Sequence, residues 1–423
     1  MSRFALSILV PLALCAAALP PARSAERIVE YVDAHWFDGE RFVHGSRRVV
    51  DGRFVGKDGA EAPSERVDLR GGFVVPPFGE AHNHNLQNAW GLERNRAMYL
   101  REGVFYAAML CGDATSNAGV RAGLRPAGDV RVALTACISS ADGHPLGMAL
   151  ASLREEDPDA DATAVHDHAY VVVESEADVA AKWPLVRAAR PDLVKLTLVH
   201  SEDPARREDP RYHGFNGLRP ELVAPLVARA HADGLRVAAH TESAADFAVA
   251  VAAGVDIVAH LPGYAFARGK GPDDYRLSDE AIAEAARRGV TVVPTASVAS
   301  FIARDPDAIS DVLALQRENL RRLKEAGVPL AMGSDRFTAT SLVEYEHLAG
   351  TGLFAPEELL RMLSMTTPQL IFPDDGVGCL EPGCRADFLV LDRDPLADAA
   401  AVRGVRARVM GGLHLDPDDA AME

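Results

Sequence analysis

The sequence lacks an excess of basic residues, and this lack argues against nucleic acids and anionic membranes as binding partners. It has 44 Lys and Arg against 61 Asp and Glu, which gives a formal net charge of -17. Nucleic acids and anionic lipid surfaces both attract clustered cations, so an acidic chain argues against either partner. Beyond the N-terminus there is also no apolar run long enough to span a bilayer. We therefore expect no nucleic-acid partner and no membrane span in the mature chain.

Several catalytic motifs and repeats are missing as well. The sequence has no Gly-x-Ser-x-Gly elbow, no His-Glu-x-x-His pair and no phosphate-binding Walker loop. No fixed-period repeat of the kind that marks a solenoid is present. What remains is an ordinary folded composition, 48% hydrophobic and 25% charged, over 423 residues. That length fits one large barrel with a minor domain.

The N-terminus has the layout of a secretory signal peptide. Arg3 precedes an almost wholly apolar stretch over residues 4–18, and small residues lead to Ser24. Because the apolar run is short for a membrane-spanning helix, we favour a signal cleaved after Ser24 over a membrane anchor. The mature protein is then secreted or periplasmic. Whether Cys15 carries a lipid is left open.

Cysteine is scarce, with five in the chain and four after cleavage. Export permits disulfides. Cys379 and Cys384 flank a turn-like stretch, so a local bridge is one alternative. We favour four free, mostly buried thiols (Cys111, Cys137, Cys379 and Cys384), and spacing alone does not fix a connectivity.

Both ends of the sequence predict short strands. Glycines punctuate the apolar stretches at residues 29–32, 41–43, 47–50 and 73–75, and residues 388–392 and 402–415 repeat this style. Because chain termini often lie close together, the two ends are expected to pair into one small β-sandwich domain.

The middle of the chain alternates short apolar runs with helical patterns, such as those at residues 221–232 and 279–288. Repeated βα units predict a parallel sheet, and the number of runs favours a closed TIM-type (β/α)8 barrel. We therefore divide the chain into a signal peptide (1–24), a composite β-domain (25–75 with 376–423) and a barrel (76–375). The predicted strands are 103–110, 130–137, 169–173, 193–199, 237–240, 257–260, 291–294 and 329–332.

Polar residues stand at or near the ends of these strands. An extended segment places residues two apart on one face, so a His-x-His pair can reach one metal ion. A barrel gathers the carboxyl ends of its strands in one mouth, and imidazoles with a carboxylate are good zinc ligands. A lysine inside an apolar strand is costly to bury unpaired, which marks it for a special role. The ordered set is His82, His84, Lys195, His240, His260 and Asp335.

This ordered set resembles that of the amidohydrolase superfamily, over nearly the whole mature chain. Residues 142–145, 230–237 and 380–391 are similar to its imidazolonepropionase and Xaa-Pro dipeptidase-like branch. The sequence departs from the pattern in one place. The usual Asp directly before His-x-His is absent, and Glu80 lies two residues before His82 instead. The departure puts a supporting contact in doubt rather than the ligands.

The resemblance implies a role for each residue. His82, His84 and Asp335 would bind one divalent metal ion, and His240 and His260 a second, with zinc the expected metal. Lys195 matches a lysine that CO₂ carboxylates into a bridge between the ions. The implied reaction is hydrolysis of an amide or other C–N bond by a metal-activated hydroxide, with Asp335 as general base and acid. A dipeptide or a cyclic amide would be the substrate.

Two further residues are candidate substrate contacts, namely His144 and Tyr212. By contrast, His231 lies in a helical pattern, and the pair His166 and His168 follows an acidic loop, so we expect no catalytic role for them. The partner is expected to be a small molecule or short peptide. A homo-oligomer is left open.

Two other functions remain as alternatives. The first is a mononuclear deaminase or ring-opening hydrolase. Deaminases of this superfamily carry a Glu three residues after the fifth-strand His, but that position is Ser243 here, with Glu242 one residue early. The second is a metal-holding or ligand-binding protein without turnover, which has no need of a proton shuttle at Asp335.

Overall fold

The computed structural model describes residues 27–56, 62–155, 157–302 and 306–416. The expected signal peptide over 1–24, with Cys15, lies outside these ranges. The strands are β1 Ile28–Phe37, β2 Phe42–Val50, β3 Arg53–Val55, β4 Glu65–Val75, β5 Phe78–Asn83, β6 Val104–Met109, β7 Arg131–Ser139, β8 Val171–Val172, β9 Leu193–Thr197, β10 Arg236–His240, β11 Ile257–Ala259, β12 Thr291–Val293, β13 Phe388–Leu391, β14 Val405–Met410 and β15 Leu413–His414.

The two chain ends form one seven-stranded mixed sheet, in the order β15-β14-β13-β4-β1-β2-β3. β13 joins the C-terminal strands to the N-terminal ones by pairing antiparallel with β4. Buried aromatic side chains stabilise this unit, with Trp36 and Phe54 both packed against Phe388. The expectation that both ends build one small β-domain is confirmed, and the exact boundaries given above stay a prediction.

A second, parallel sheet forms the barrel, in the order β12-β11-β10-β9-β7-β6-β5. The segment over residues 329–335 occupies the eighth position. On one side, the N–H of Ala331 donates to the carbonyl of Val292 in β12. On the other side, the N–H of Ala81 in β5 donates to the Met332 carbonyl, and the N–H of Asp335 donates to the His82 carbonyl. This segment therefore closes the ring between the last strand and the first, and the TIM-type barrel is confirmed.

One predicted barrel strand was wrong. Residues 169–173 do not belong to the ring, because only β8 forms there and it pairs with the end of β7. β5 takes the vacant place, although Glu80, His82 and Asn83 within it are polar and fully buried. Hydrophobic patterning misses such a strand because its inward side chains are polar.

The helices cover the barrel from outside. The helix expected over 221–232 begins two residues later, at Val223, and ends at Ala232 as predicted. α7 spans the range expected for residues 279–288, with Ser278 capping its N-terminus and Gly289 at φ 69° ending it. None of the helices in the described ranges has the length and apolar character of a membrane span. The helices are α1 Ala89–Glu102, α2 Ala114–Gly123, α3 His144–Leu153, α4 Glu176–Ala188, α5 Val223–Ala232, α6 Ala244–Ala253, α7 Asp279–Arg288, α8 Val298–Ile302, α9 Pro306–Glu325, α10 Leu342–Gly350, α11 Pro356–Arg361 and α12 Thr367–Ile371.

The four cysteines form two disulfides, so the expectation of free thiols was wrong. Cys379 bonds Cys384 across the turn, with Cα atoms 5.9 Å apart. Cys111 bonds Cys137, with Cα atoms 4.9 Å apart. The second pair follows from barrel register, because Cys111 comes just after β6 and Cys137 lies in the neighbouring β7. The two cysteines are 26 residues apart in sequence, so their spacing alone does not predict that they are neighbours in the barrel.

Candidate metal centre

Side chains from four segments of the chain converge in the barrel mouth. His84 Nε2 lies 3.4 Å from Asp335 Oδ1, and His82 Nε2 lies 3.7 Å from the same oxygen. His260 Nδ1 lies 3.9 Å from Asp335 Oδ2. The ring of His260 also stands 4.5 Å from that of His240, centroid to centroid. The structure thus brings these predicted ligands together, while their assignment as ligands stays a prediction.

His82 is the most telling member of this group. Its side chain is fully buried, yet neither ring nitrogen has a hydrogen-bond partner among the described residues. Leaving a buried polar group unpaired costs about 1–3 kcal/mol. The ligand atoms of His82, His260 and Asp335 all lie within 4.8 Å of one another, a spacing that can hold a metal ion. The residues present therefore fit a divalent ion.

Burial keeps the clustered imidazoles neutral. Burial, together with the smaller effect of the nearby Lys195 charge, lowers the pKa of His240 to about 3. Burial is also the main reason why the pKa values of His82 and His260 lie well below the usual range for histidine. A neutral imidazole keeps the lone pair that a metal ligand needs, so desolvation prepares the cluster for an ion.

Lys195 lies within β9 and is 3% exposed. Burial lowers the pKa of its ammonium to about 7, and the Asp335 charge opposes this shift. A substantial fraction of the side chain is therefore a neutral amine near pH 7. A neutral amine is nucleophilic, unlike the ammonium form that an exposed lysine retains.

Glu80 makes the supporting contact that the missing Asp had put in doubt. Its carboxylate accepts the backbone N–H groups of His82 at 3.1 Å and Ser334 at 2.8 Å. The Ser334 hydroxyl donates to the other oxygen at 2.7 Å. Glu80 therefore ties the His82 segment to the Asp335 segment across the closure of the barrel. Burial raises the pKa of Glu80 to about 8, opposed by these hydrogen bonds.

Hydrogen bonds also fix the orientation of the rings. His84 Nδ1 lies 2.9 Å from the acceptor Gln87 Oε1, which leaves the Nε2 lone pair directed toward Asp335. His260 Nδ1 bonds Thr295 Oγ1 at 2.8 Å. Ligand histidines commonly carry such partners on the nitrogen that does not bind the metal, because they fix tautomer and aim.

The backbone is strained at the same strand ends. His260 has φ 73°, Asp335 φ 48° and Thr295 φ 46°, in the left-handed region that L-residues other than Asn and Asp seldom adopt. Such conformations cost of order 1–3 kcal/mol and gather at functional sites. The surrounding barrel holds these residues in place so that their side chains point into the mouth.

A second ligand group adjoins the first. The ligand atoms of His144, His240 and Glu242 also lie within 4.8 Å of one another. His144 begins α3, and its ring stacks on that of His240 at 4.7 Å. Burial lowers the pKa of His144 to about 4. Tyr264 donates its hydroxyl to Glu242 at 3.2 Å.

A search of curated proteins finds no match to this chain. A family model described as the amidohydrolase family matches residues 211–410, which carry the second half of the barrel with His240, His260 and Asp335. The matched region is just under half of the chain, and it confirms the expected resemblance to the amidohydrolase superfamily.

Several solved structures share the fold over nearly the whole chain. A Xaa-Pro dipeptidase with methionine in its active site is 18% identical with a TM-score of 0.71, over 92% of this chain and 100% of that one. The ochratoxinase of A. niger is 16% identical with a TM-score of 0.72, over 93% and 97%. A putative prolidase from Bifidobacterium longum is 19% identical with a TM-score of 0.69, over 93% and 98%.

The other predicted residues lie in different surroundings. Tyr212 lies under the Arg206 guanidinium, whose carbon stands 3.9 Å from the ring centroid, and its role as a substrate contact stays a prediction. His231 bonds Asp256 at 2.9 Å on the outside of the barrel, as a structural residue would. His166 Nε2 lies 2.7 Å from the Ala141 carbonyl, so it holds a loop.

Sequence reasoning missed Asp246 and considered Glu242 only as a misplaced deaminase residue. Asp246 is fully buried and accepts five hydrogen bonds, from the N–H groups of His200, Ser201, Glu242 and Ser243 and from the Ser201 hydroxyl. It thereby joins the loops that follow β9 and β10. The available signal was the Ser243-x-x-Asp246 capping box at the start of α6, which predicts a helix start but not a link to a second loop.

Proposed function

We propose that this chain is a metal-dependent hydrolase that cleaves an amide or related C–N bond in the barrel mouth. The observation that supports it best is His82, a fully buried imidazole beside His260 and Asp335 whose ring nitrogens have no hydrogen-bond partner in the part of the chain that the structure describes. Those three residues and His84 would hold a divalent ion, with zinc favoured by the imidazole and carboxylate donors. When bound, the ion supplies a Lewis acid for the scissile carbonyl and for water.

Asp335 is the proposed proton carrier. It takes a proton from the attacking water and delivers it to the nitrogen that leaves, so one carboxylate serves both halves of the reaction. Burial raises its pKa, opposed by the charges of His84 and Lys195. A raised pKa brings the carboxyl closer to the neutral range in which such a group both accepts and returns a proton.

Lys195 is the proposed site of carboxylation. Its neutral amine attacks CO₂, a C–N bond forms as one C=O π bond opens onto oxygen, and an amine proton leaves to solvent, so that the neutral amine becomes a carbamate anion. Carbamate oxygens are donors for divalent ions. Burial of Lys195 supports this step because it holds the pKa near 7.

We propose a small amide as the substrate, in the form of a dipeptide or a cyclic amide. The fold similarity to a Xaa-Pro dipeptidase and an ochratoxinase supports this choice. Action outside the cytoplasm follows from the signal segment, and the two disulfides accord with an oxidising compartment.

The deaminase alternative finds less support. Ser243, at the position of the deaminase Glu, is occupied elsewhere. Its hydroxyl caps α6 by accepting from Asp246 N–H and donates to Glu202 at 2.8 Å. The Ser243 hydroxyl proton is already donated to Glu202, so it is not available to the ring nitrogen of a deaminase substrate.

A panel of dipeptides, lactams and simple esters tests the proposal. We expect hydrolysis of at least one amide, its loss on treatment with a chelator, and its recovery when zinc is returned. Turnover that chelation leaves intact would contradict the metal requirement. Metal binding without any turnover would favour the non-catalytic alternative.

One prediction concerns how the mouth binds substrate. Phe337 is 58% exposed and stacks on His84 with ring centroids 5.7 Å apart. It therefore presents an apolar face beside the proposed reacting carbonyl. We expect Phe337→Ala to raise KM about 10-fold for amides with apolar side chains, with kcat within about 3-fold, since burying one aromatic ring contributes about 1.5–3 kcal/mol. Steady-state kinetics measure this, with Phe337→Leu as the conservative variant. A fall in kcat at unchanged KM would contradict it.

A further inference from the structure

We propose that a cleft at the amino-terminal end of the barrel binds a small phosphate ester. This cleft, the arginine cleft, has a volume of about 670 Å³ and lies between the barrel and the sheet of the chain ends. The barrel lines it with residues 124–132, which lead into β7, and the sheet lines it with residues 51–53 and with Met410, Gly411 and Leu413. The candidate metal centre lies at the carboxyl ends of the barrel strands. The two sites are therefore separate, and the proposal does not depend on the proposed function.

The first argument is the charge of the lining. Four of the lining residues are arginines, namely Arg53, Arg125, Arg131 and Arg385. The lining also has two carboxylates. Asp51 is exposed, and Asp129 is already paired with Arg96 at 3.1 Å. The arginine cleft is therefore a basic concavity in a chain whose net charge is -17, and such a lining attracts an anion.

The second argument is that two of the four guanidiniums lack a carboxylate partner. The other two are already neutralised by nearby aspartates, in the pairs Arg131–Asp375 and Arg385–Asp387. Among the described residues, neither Arg53 nor Arg125 forms an ion pair. Arg53 Nη1 donates to the Gly383 carbonyl at 2.8 Å, which satisfies one donor without neutralising the charge. Two guanidinium charges in one cleft therefore match the two negative charges of a phosphate monoester, and arginine binds phosphate oxygens through paired hydrogen bonds.

The third argument is the position of two like charges on facing strands. Arg53 in β3 stands opposite Arg385, just before β13, in an antiparallel bridge. Like charges directly opposite each other across a sheet are destabilising. Asp387 compensates Arg385, since the two lie 2.8 Å apart, but it leaves Arg53 without a carboxylate. A bound anion beside Arg53 would remove the remaining repulsion.

The fourth argument is the apolar part of the lining. Leu413 is a large apolar side chain that is 52% exposed, and Leu124 and Met410 line the same space. Phe372 also lines it, and the Arg131 guanidinium carbon stands 4.3 Å from the centroid of its ring. Sites for small organic ligands combine apolar walls with a few polar groups in about 300–1,000 Å³. The ligand is therefore expected to carry an apolar group beside its phosphate.

Isothermal titration calorimetry of the purified mature protein tests the proposal, with phenyl phosphate, inorganic phosphate and benzoate as probes. Near neutral pH phenyl phosphate is mostly a dianion, because the second pKa of a phosphate ester is about 6. We expect it to bind about 10-fold or more tightly than inorganic phosphate, because the apolar lining buries its ring. Benzoate, with the same ring and a single charge, should bind more weakly.

Variants locate the binding site. Arg53→Gln and Arg125→Gln should each weaken phenyl phosphate binding by about 10-fold, since each removes hydrogen bonds to a charged group. Leu413→Ser should weaken phenyl phosphate but leave inorganic phosphate unchanged. Arg361→Gln is the matched control, because Arg361 is a half-buried arginine on α11 that does not line the cleft. Thermal melting without ligand checks each variant, and if Arg53→Gln fails to fold, Arg125→Gln decides the result.

The outcomes separate this site from the metal centre. Binding that the two arginine variants weaken, and that Arg361→Gln and His82→Ala retain, supports the proposal. Binding that the arginine variants retain and His82→Ala loses would place the anion in the barrel mouth and overturn it. Equal affinity for benzoate and phenyl phosphate would overturn the choice of a phosphate. A wild type that binds no phenyl phosphate would overturn the proposal whether or not the protein hydrolyses an amide.

Discussion

Replacing Asp335 with Asn is expected to lower kcat by about 10³-fold, because general acid–base catalysis contributes roughly 10²–10⁴-fold. The amide keeps an oxygen that can contact an ion but has no carboxylate to take the proton of the attacking water. The backbone should tolerate the change, since Asn adopts the left-handed φ of 48° that Asp335 has. Metal content and kcat are measured on the same sample.

The matched control is Asp38→Asn in the chain-end sheet, where the carboxylate accepts backbone N–H groups from Glu40 and Arg41. It should leave kcat unchanged. Loss of turnover in Asp335→Asn with metal still bound supports the proton-carrier role. Unchanged turnover would contradict that role, whatever the metal content.

Replacing Asp246 with Ala is expected to lower the free energy of unfolding by about 3–5 kcal/mol. The side chain accepts five hydrogen bonds in a fully buried position, and each donor left unpaired there costs about 1–3 kcal/mol before the loops relax. The same change frees the loops that carry His200 and Glu242. Denaturant unfolding of the disulfide-intact protein gives the loss.

Asp178→Ala is the matched control for this prediction. Asp178 also occupies the third position of a capping box, at the start of α4, but it lies nearer the surface and binds only the N–H groups of Glu174 and Ser175. Its removal should cost about 1 kcal/mol, as for an ordinary helix cap. Equal losses in the two variants would mean that Asp246 does no more than cap its own helix.

Much of the fold was predictable because periodicity reports burial. The βα alternation over the middle of the chain predicted the barrel, and α7 matched its pattern from Asp279 to Arg288. The errors occurred where the hydrophobic pattern of a segment does not match the place of that segment in the barrel. β8 is as apolar as a barrel strand but pairs only with the end of β7, and β5 is polar inside because the mouth requires it.

The site was predictable only where a residue type that commonly binds metals stands at the end of a predicted strand. His82, His240, His260 and Asp335 were predicted in that way, and the structure places their side chains in one barrel mouth, while their role as ligands stays a prediction. Glu242 was noticed only as a misplaced deaminase residue, because its meaning depends on His144, which lies about a hundred residues away in sequence. The Cys111–Cys137 bond was missed for the same reason, since only the register of β6 against β7 brings the two residues together.

The most direct test of the metal centre is elemental analysis of the purified mature protein beside its His82→Ala variant. In both, we expect the thermal unfolding transition to remain single and cooperative. The account predicts at least one divalent ion per chain in the wild type and one fewer in the variant, because no described residue bonds the buried ring nitrogens of His82. A wild type without metal, or equal metal in both proteins, would contradict it.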